Sequence, residues 1–321
     1  MNHQMYGGID LGGTKIEACL FDANLVPLKS RRIATPSTSY PALVDALVAQ
    51  YTWLRTLAGT DFAHIGDLPF GIGIPGLIDP HSGLSRTANL PASGMPLRAD
   101  LERRIGFSIP IENDCKCFAL SEATGGAGAG FETVFGLILG TGCGGGICHQ
   151  GRLVAGHNGL PGEVGHIGLP AYRKALRDVP ALLCGCGRTG CFETVVSGPG
   201  MRALAHHLTG ADISAERIVA LASTGDDAMR RVYDTWLNVL CELLDVIQLT
   251  IDPDCIVLGG GLSRINGLAG DLSHRFALRR LEGAEGPTIL AAKFGDSSGV
   301  RGAAMLAAMN WNDANRRIAK G

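Results

Sequence analysis

The chain has 321 residues, enough for two domains that each bury a core of their own, so a two-domain protein is the expectation. A formal net charge of -2 provides no cationic face to attract nucleic acid or an anionic membrane, and both are set aside as partners. The 46 glycines fall in short clusters between apolar runs and therefore mark turns and ligand loops, not low complexity.

A strand-like run begins at Tyr6 with no basic segment and apolar core of a secretory signal before it. The longest apolar stretch, residues 134–148, is broken by glycine and falls short of a membrane span. A cytoplasmic protein is expected, in which the ten cysteines are buried thiols or metal ligands and not disulfides.

Tyr6–Leu11 reads as a strand, Gly12 and Gly13 turn the chain, Lys15–Phe21 runs back, and residues 26–33 follow a turn at Asp22 and Asn24. Together they predict a three-stranded antiparallel meander. Leu43, Leu47, Leu54 and Leu57 keep a near-helical period over residues 41–57. Phe70–Ile74 is then a strand beside the meander, residues 109–111 are a short strand, and Asp114 opens a helix carrying Phe118, Leu120 and Ala123. The order recurs in the second half. Residues 134–139 form a strand ending in a Gly-rich turn, residues 146–149 return, and residues 229–251 make an amphipathic helix through Val232, Trp236, Val239, Leu243 and Ile247. Residues 255–258 are a strand ending in Gly259, Gly260 and Gly261, with a helix opening near Ser263. A last helix is expected over residues 300–309, followed by a frayed tail over residues 312–321. Two halves with one element order suggest two like domains.

In Asp10-Leu11-Gly12-Gly13-Thr14-Lys15 the glycines let backbone N–H groups approach an oxyanion, Thr14 adds a hydroxyl and Lys15 a point charge. Asp10, at the strand end, is placed to hold Mg²⁺ through water. Standing alone, the same residues also suit an ordinary hairpin turn. Gly140-Thr141-Gly142-Cys143-Gly144-Gly145-Gly146 and Gly259-Gly260-Gly261 repeat a Gly turn at a strand end. Neither fits the Walker A pattern, and a dinucleotide fingerprint would need a helix where residues 147–149 read as a strand.

Glu112-Asn113-Asp114 sits where a strand passes into a helix, and a helix N-terminus favours an ionised carboxylate by about 0.3–1 kcal/mol. Asp114 is therefore suited to accept a proton, although Asn and Asp are also the ordinary capping residues there. Cys184, Cys186 and Cys191 lie on a Gly-rich loop, and His166 upstream completes a closed Cys₃His set of the kind that binds structural zinc. Free thiols are the alternative; the C-x-C spacing departs from the C-x-x-C of redox pairs. The other cysteines, Cys115 and Cys117 among them, read as packing residues.

In this order, Gly8-Ile9-Asp10-Leu11-Gly12-Gly13-Thr14-Lys15, Leu139-Gly140-Thr141-Gly142-Cys143-Gly144-Gly145-Gly146 and Gly299-Val300-Arg301-Gly302-Ala303-Ala304 resemble the actin-like ATPase and sugar kinase superfamily. Within it they resemble the ROK family of repressors, open reading frames and sugar kinases, over nearly the whole chain. The resemblance implies an α/β fold of two ribonuclease H-like domains with a cleft between them. One would be residues 1–115, rejoined by a C-terminal helix over residues 298–321, and the other residues 116–297 with the zinc loop.

The resemblance further implies phosphorylation of a sugar with Mg-ATP, held by Asp10, Gly12, Gly13, Thr14, Lys15, Gly140, Thr141, Gly142, Gly259, Gly260 and Gly261. Asp114 is then the base for the reacting hydroxyl and Asn113 bonds the sugar hydroxyls. Glu163 and His166 reach the ring hydroxyls, Glu193 the anomeric end, and Gly76 with the Asn89 loop forms the other wall. His166, Cys184, Cys186 and Cys191 hold structural zinc, so that one ring nitrogen of His166 takes the metal and the other faces the sugar. Many hexokinases of the family carry Trp in the loop after Asn-Leu-Pro. Residues 89–101 contain none and, with residues 117–123, are most similar to members acting on N-acetyl-D-glucosamine, whose 6-hydroxyl is the expected acceptor. Glucose, fructose, mannose or N-acetylmannosamine is the alternative. A noncatalytic sugar-sensing regulator is a further one, although the few residues before Tyr6 leave no room for the helix-turn-helix that some members carry. Members are often dimers, and a homodimer stays open because no sequence signal sets the assembly.

Overall fold

The computed structural model describes residues 4–61, 68–170, 176 and 178–318. The chain forms two compact units, Met1–Ser121 with Ala155–Leu160 and Ser297–Gly321, and Glu122–Val154 with Pro161–Asp296.

The first unit begins with β1 (Tyr6–Leu11), β2 (Lys15–Phe21) and β3 (Pro27–Ala34), followed by α1 (Tyr40–Asp61) and β4 (Phe70–Ile74). A hairpin of β5 (Gly76–Ile78) and β6 (Ser85–Thr87), then α2 (Leu97–Ile105), β7 (Ile111–Asn113) and α3 (Asp114–Ala123) complete its first pass. The sheet order is β3-β2-β1-β4-β7: an antiparallel meander, then β4 parallel to β1 and β7 parallel to β4. The short strand expected over residues 109–111 lies at Ile111–Asn113 instead. Pro110 has no N–H for a ladder, and only its carbonyl takes part, accepting from the Ile72 N–H at 3.0 Å.

The second unit repeats this scheme with β8 (Thr133–Leu139), β9 (Cys143–His149) and β10 (Arg152–Leu153), followed by α4 (Glu193–Val196), α5 (Gly198–Thr209) and α6 (Ala215–Ser223). Then come α7 (Asp227–Ile251), β11 (Cys255–Gly259), α8 (Leu268–Ala277) and β12 (Thr288–Ala291). The sheet order is β10-β9-β8-β11-β12, with β8–β10 antiparallel and β11 parallel to both β8 and β12. Asp226 caps α7 by accepting from the Met229 N–H at 3.0 Å, and the buried stripe of α7 includes Trp236, whose indole N–H donates to the Val196 carbonyl at 3.2 Å. No α-helix opens at Ser263. Gly261–Arg264 is a single 3₁₀ turn between Gly260 and Gly267, whose left-handed φ values of 80° and 79° interrupt the helical path before α8.

The last helix, α9 (Ser298–Ile318), returns to the first unit and continues through most of the stretch expected to fray; residues 319–321 lie outside the described residues. It lies flush on the sheet because β1 and β4 carry glycine where it crosses. A Cβ at Gly8 would stand 2.0 Å from the Val300 carbonyl oxygen, and one at Gly71 2.2 Å from that of Ala303. Likewise a Cβ at Gly302 would stand 1.9 Å from the Cys117 carbonyl oxygen. That close packing draws α3 into the first unit as far as Ser121, past the boundary expected at residues 115 and 116.

Each unit has its own apolar core, one around Ile9, Leu47, Phe70 and Ile72, the other around Phe135, Phe192, Trp236 and Ile256. Cys19, Cys117, Cys143, Cys148, Cys241 and Cys255 are buried, and burial pushes each thiol above its ordinary value, as packing residues require. No described helix is long and apolar enough to cross a membrane.

Candidate active site

In the first unit β7 hands directly to α3, and the helix cap is Asn113. Its Oδ1 accepts from the N–H groups of Cys115 at 2.9 Å and Lys116 at 3.2 Å. The capping role that the sequence left open for Asp114 thus falls to its neighbour. Asp114 occupies the first helical turn, part-exposed, and accepts from the Cys115 N–H at 2.9 Å. The Asn113 amide also donates to the Gly76 carbonyl at 3.1 Å, which leaves one amide N–H for any sugar hydroxyl. Gly76 itself has a φ of 141°, and a Cβ there would stand 2.0 Å from the Arg86 carbonyl oxygen, so the β5–β6 hairpin closes around a bare backbone. Asn89 is exposed with a φ of 57° and precedes the buried Leu90.

In the β1–β2 turn the Gly12 N–H donates to the Lys15 carbonyl at 2.9 Å and the Gly12 carbonyl accepts the Thr35 hydroxyl at 2.7 Å. Gly12 therefore holds the turn closed, and the exposed groups are Gly13, Thr14 and Lys15. Around the position of a Gly13 Cβ nothing lies within 4 Å. Asp10 at the end of β1 is embedded deeply enough that its carboxyl is pushed up to about 7, first by burial and then by the charges of Asp114 and Glu17, against the pull of Lys15 and Arg32.

In the second unit the 3₁₀ turn Val164–His166 lies flat on β9. A Cβ at Gly162 would stand 2.1 Å from the Gly145 carbonyl oxygen, and one at Gly165 1.9 Å from that of Cys143. Gly144, Gly145 and Gly146 are strand residues, it is the missing side chains of Gly162 and Gly165 that let the turn approach β9, and only Gly140, Thr141 and Gly142 form the loop between β8 and β9. His166 Nε2 lies 3.9 Å from a Glu163 carboxylate oxygen, while its Nδ1 is 3.5 Å from Cys184 Sγ. Cys186 Sγ and Cys191 Sγ are 3.6 Å apart, and one ligand atom from each of His166, Cys184, Cys186 and Cys191 falls within 4.8 Å of all the others. Tetrahedral zinc, with bonds of about 2.0–2.3 Å, sets its ligands roughly 3.4–3.8 Å apart, so this donor set fits it. The backbone N–H of Arg188 holds the Cys186 thiol below its ordinary value, and burial lifts Cys184 and Cys191. Glu193 opens α4, and one of its carboxylate oxygens accepts from the Cys143 N–H at 2.9 Å while the other lies 3.6 Å from Cys184 Sγ.

The second unit also contains a cavity of about 960 Å³. One end is bounded by Gly140, Thr141 and Gly261, with Gly198 and Pro199 at the start of α5. The Gly198 N–H donates to the Gly140 carbonyl at 2.8 Å, and Ser197 caps α5 by accepting from the Gly200 N–H at 3.1 Å. Leu182, Ala203, Ala215 and Leu262 supply apolar walls, and His206, Glu216 and the ion-paired Arg202 and Asp212 a few polar groups. Apolar walls interspersed with polar groups suit a heteroaromatic base, and glycine turns beside a helix N-terminus suit phosphates. Gly142, Gly259 and Gly260 do not line it. Gly259 ends β11, Glu193 crowds the Cβ position of Gly142, and the Leu139 carbonyl that of Gly260. Sequence reasoning missed the α5 and α6 residues; the helix-start run Ser197-Gly198-Pro199 was the signal available for them.

Comparison with known proteins converges on one family. The model of the ROK family matches residues 6–310. The chain is 40% identical over 305 residues to the N-acetyl-D-glucosamine kinase of Salmonella paratyphi B, across 94% of this chain and 99% of that one. Among solved structures it is similar to the ROK hexokinase of Thermus thermophilus, at 30% identity and a TM-score of 0.84 over 97% of this chain and 100% of that one. It is also similar to a ROK family glucokinase of Streptomyces griseus in complex with glucose and AMPPNP, at 30% identity and a TM-score of 0.75 over 95% and 99% of the two chains. With the match running from β1 into α9 and through both repeated sheets, the chain belongs to the ROK family.

Proposed function

We propose that this protein is an ATP-dependent kinase that phosphorylates the 6-hydroxyl of N-acetyl-D-glucosamine, giving N-acetyl-D-glucosamine 6-phosphate and ADP. The observation that carries this assignment is the 40% identity over 94% of the chain to a relative bearing that name. The geometry supports the chemistry. Asp114, relieved of capping by Asn113, accepts the proton as the 6-oxygen attacks the γ-phosphorus, and the bond to the β-phosphate oxygen breaks with its electrons leaving on ADP.

Asn113, Asn89 and the Gly76 wall orient the sugar, Glu163 and His166 Nε2 engage its ring hydroxyls, and Glu193 serves the anomeric end. Gly13, Thr14 and Lys15 serve as phosphate contacts, as do Gly140 and Thr141, while the cavity walls take the adenosine. Asp10 supports Mg²⁺, and His166, Cys184, Cys186 and Cys191 hold zinc. Bound Mg²⁺ would neutralise phosphate charge, and zinc with four protein ligands would order its loop without taking part in the chemistry. A cytoplasmic location, where thiols stay reduced, belongs to the same proposal.

ADP release measured with N-acetyl-D-glucosamine, glucose, mannose, fructose and N-acetylmannosamine tests the assignment. The highest kcat/KM is expected on N-acetyl-D-glucosamine. A higher value on any of the other four replaces the acceptor, and no release with any sugar removes the kinase.

A further inference from the structure

The hairpin that carries two of the metal ligands is also a wall of the cavity assigned above to the nucleotide. Pro180 and Leu182 line that cavity, and Cys184 follows two residues after Leu182. The hairpin is short. The Gly190 N–H donates to the Leu182 carbonyl at 2.8 Å, Leu183 pairs with Thr189, and the Cys184 N–H donates to the Arg188 carbonyl at 2.7 Å. Little apolar packing supports it, since Leu183 is 75% exposed and residues 185–189 are all exposed. A short strand pair with so little burial does not keep its shape unaided. What converges on it is the ligand set: Cys184 and Cys186 on the hairpin meet Cys191 just beyond it and His166 from the turn on β9. A second tie runs from the same cluster, where Glu193 lies 3.6 Å from Cys184 Sγ and accepts from the Cys143 N–H, next to the Gly140–Thr141 end of the cavity.

We propose that the metal-binding hairpin is a nucleotide-binding element, with Leu182 as its contact to the base, so that metal binding sets the affinity for ATP as well as ordering the sugar residues. The proposal rests on the kinase assignment. The metal acts at a distance here: closing the hairpin fixes where Pro180 and Leu182 stand, and losing it releases that wall.

The test is calorimetric binding of AMPPNP, with metal content and sugar affinity measured in parallel. Leu182→Ala keeps all four ligands, and it is expected to retain one zinc per chain and wild-type affinity for N-acetyl-D-glucosamine while binding AMPPNP about tenfold more weakly. Wild-type protein stripped by a chelator, with its far-ultraviolet circular dichroism preserved, is expected to lose at least as much nucleotide affinity and to regain it on adding zinc. Unchanged AMPPNP affinity in Leu182→Ala overturns the proposal whether or not stripped protein stays folded, and so does wild-type affinity in folded, stripped protein. Zinc-loaded wild type that binds no AMPPNP overturns the kinase assignment along with it; a hairpin effect that fails while wild type binds nucleotide overturns the proposal alone.

Discussion

Asp114 and Asn113 divide between them two tasks that the sequence could not separate. Any polar residue at a strand-to-helix junction is first a capping candidate, and Asn and Asp rank almost equally there. The side-chain geometry gives the cap to Asn113, with Oδ1 on the Cys115 and Lys116 N–H groups, and leaves the Asp114 carboxylate in the first turn of α3. Replacing Asp114 therefore need not disturb the helix. Asp114→Asn is expected to keep the thermal midpoint and the affinity for sugar near wild type while kcat falls by about a thousandfold, the scale of a lost general base. Steady-state kinetics and sugar titration check it, and turnover within tenfold of wild type would remove Asp114 as the base. The junction itself was legible from Glu112-Asn113-Asp114. Which of the two residues caps was not, because that depends on rotamers set by Gly76 across the unit.

At the scale of elements, glycine carries the least legible information. The sequence reads as a Gly-rich turn up to a return strand at Gly146, yet β9 already begins at Cys143 and lies against the neighbouring turn that carries Glu163 and His166. The cause is steric and non-local, since Gly145 and Cys143 present their carbonyl oxygens where Gly162 and Gly165 would carry Cβ atoms. A side chain at Gly165 meets the backbone of Cys143, which is paired to Leu139 on β8. Gly165→Ala is expected to cost at least about 3 kcal/mol, to displace the turn and to lower zinc content by moving His166. Gly168→Ala is the matched control, because nothing lies within 4 Å of its Cβ position and the change should be nearly neutral. Denaturant unfolding and metal analysis of the two variants decide it; equal stabilities would show that the turn does not rest on β9. The cysteine spacing was legible by contrast, because the candidate metal cluster draws three of its four residues from one short loop.

For the whole molecule, the repeated order of strands was visible as repeated hydrophobic runs, and the two sheets share it. The cavity was not visible, because it is assembled from the 180s hairpin, α5, α6 and the turn after β11, mostly by small or apolar residues with no chemical signature. Nor was the assignment of Ala155–Leu160 to the first unit, which depends on contacts such as His81 Nε2 with Asn158 Oδ1 at 3.2 Å. Electrostatics adds a property that belongs to the folding equilibrium of the molecule. Asp10 titrates near 7 in the native state against an ordinary 3.8, raised by burial, Asp114 and Glu17 and opposed by Lys15 and Arg32. Between those two values the native protein holds a proton that the unfolded chain gives up, so this group's contribution to stability is lost as pH rises from about 4 through about 7. Asp10→Asn keeps the shape and removes the titration. Without nucleotide or magnesium, the variant's thermal midpoint is expected to exceed that of wild type by a margin that widens from pH 5 to about pH 7 and then levels off. Calorimetric scans of both proteins from pH 5 to pH 8.5 measure that margin. A margin that stays flat or narrows with rising pH would mean that the native site already favours the charged carboxylate, with Lys15 and Arg32 outweighing burial.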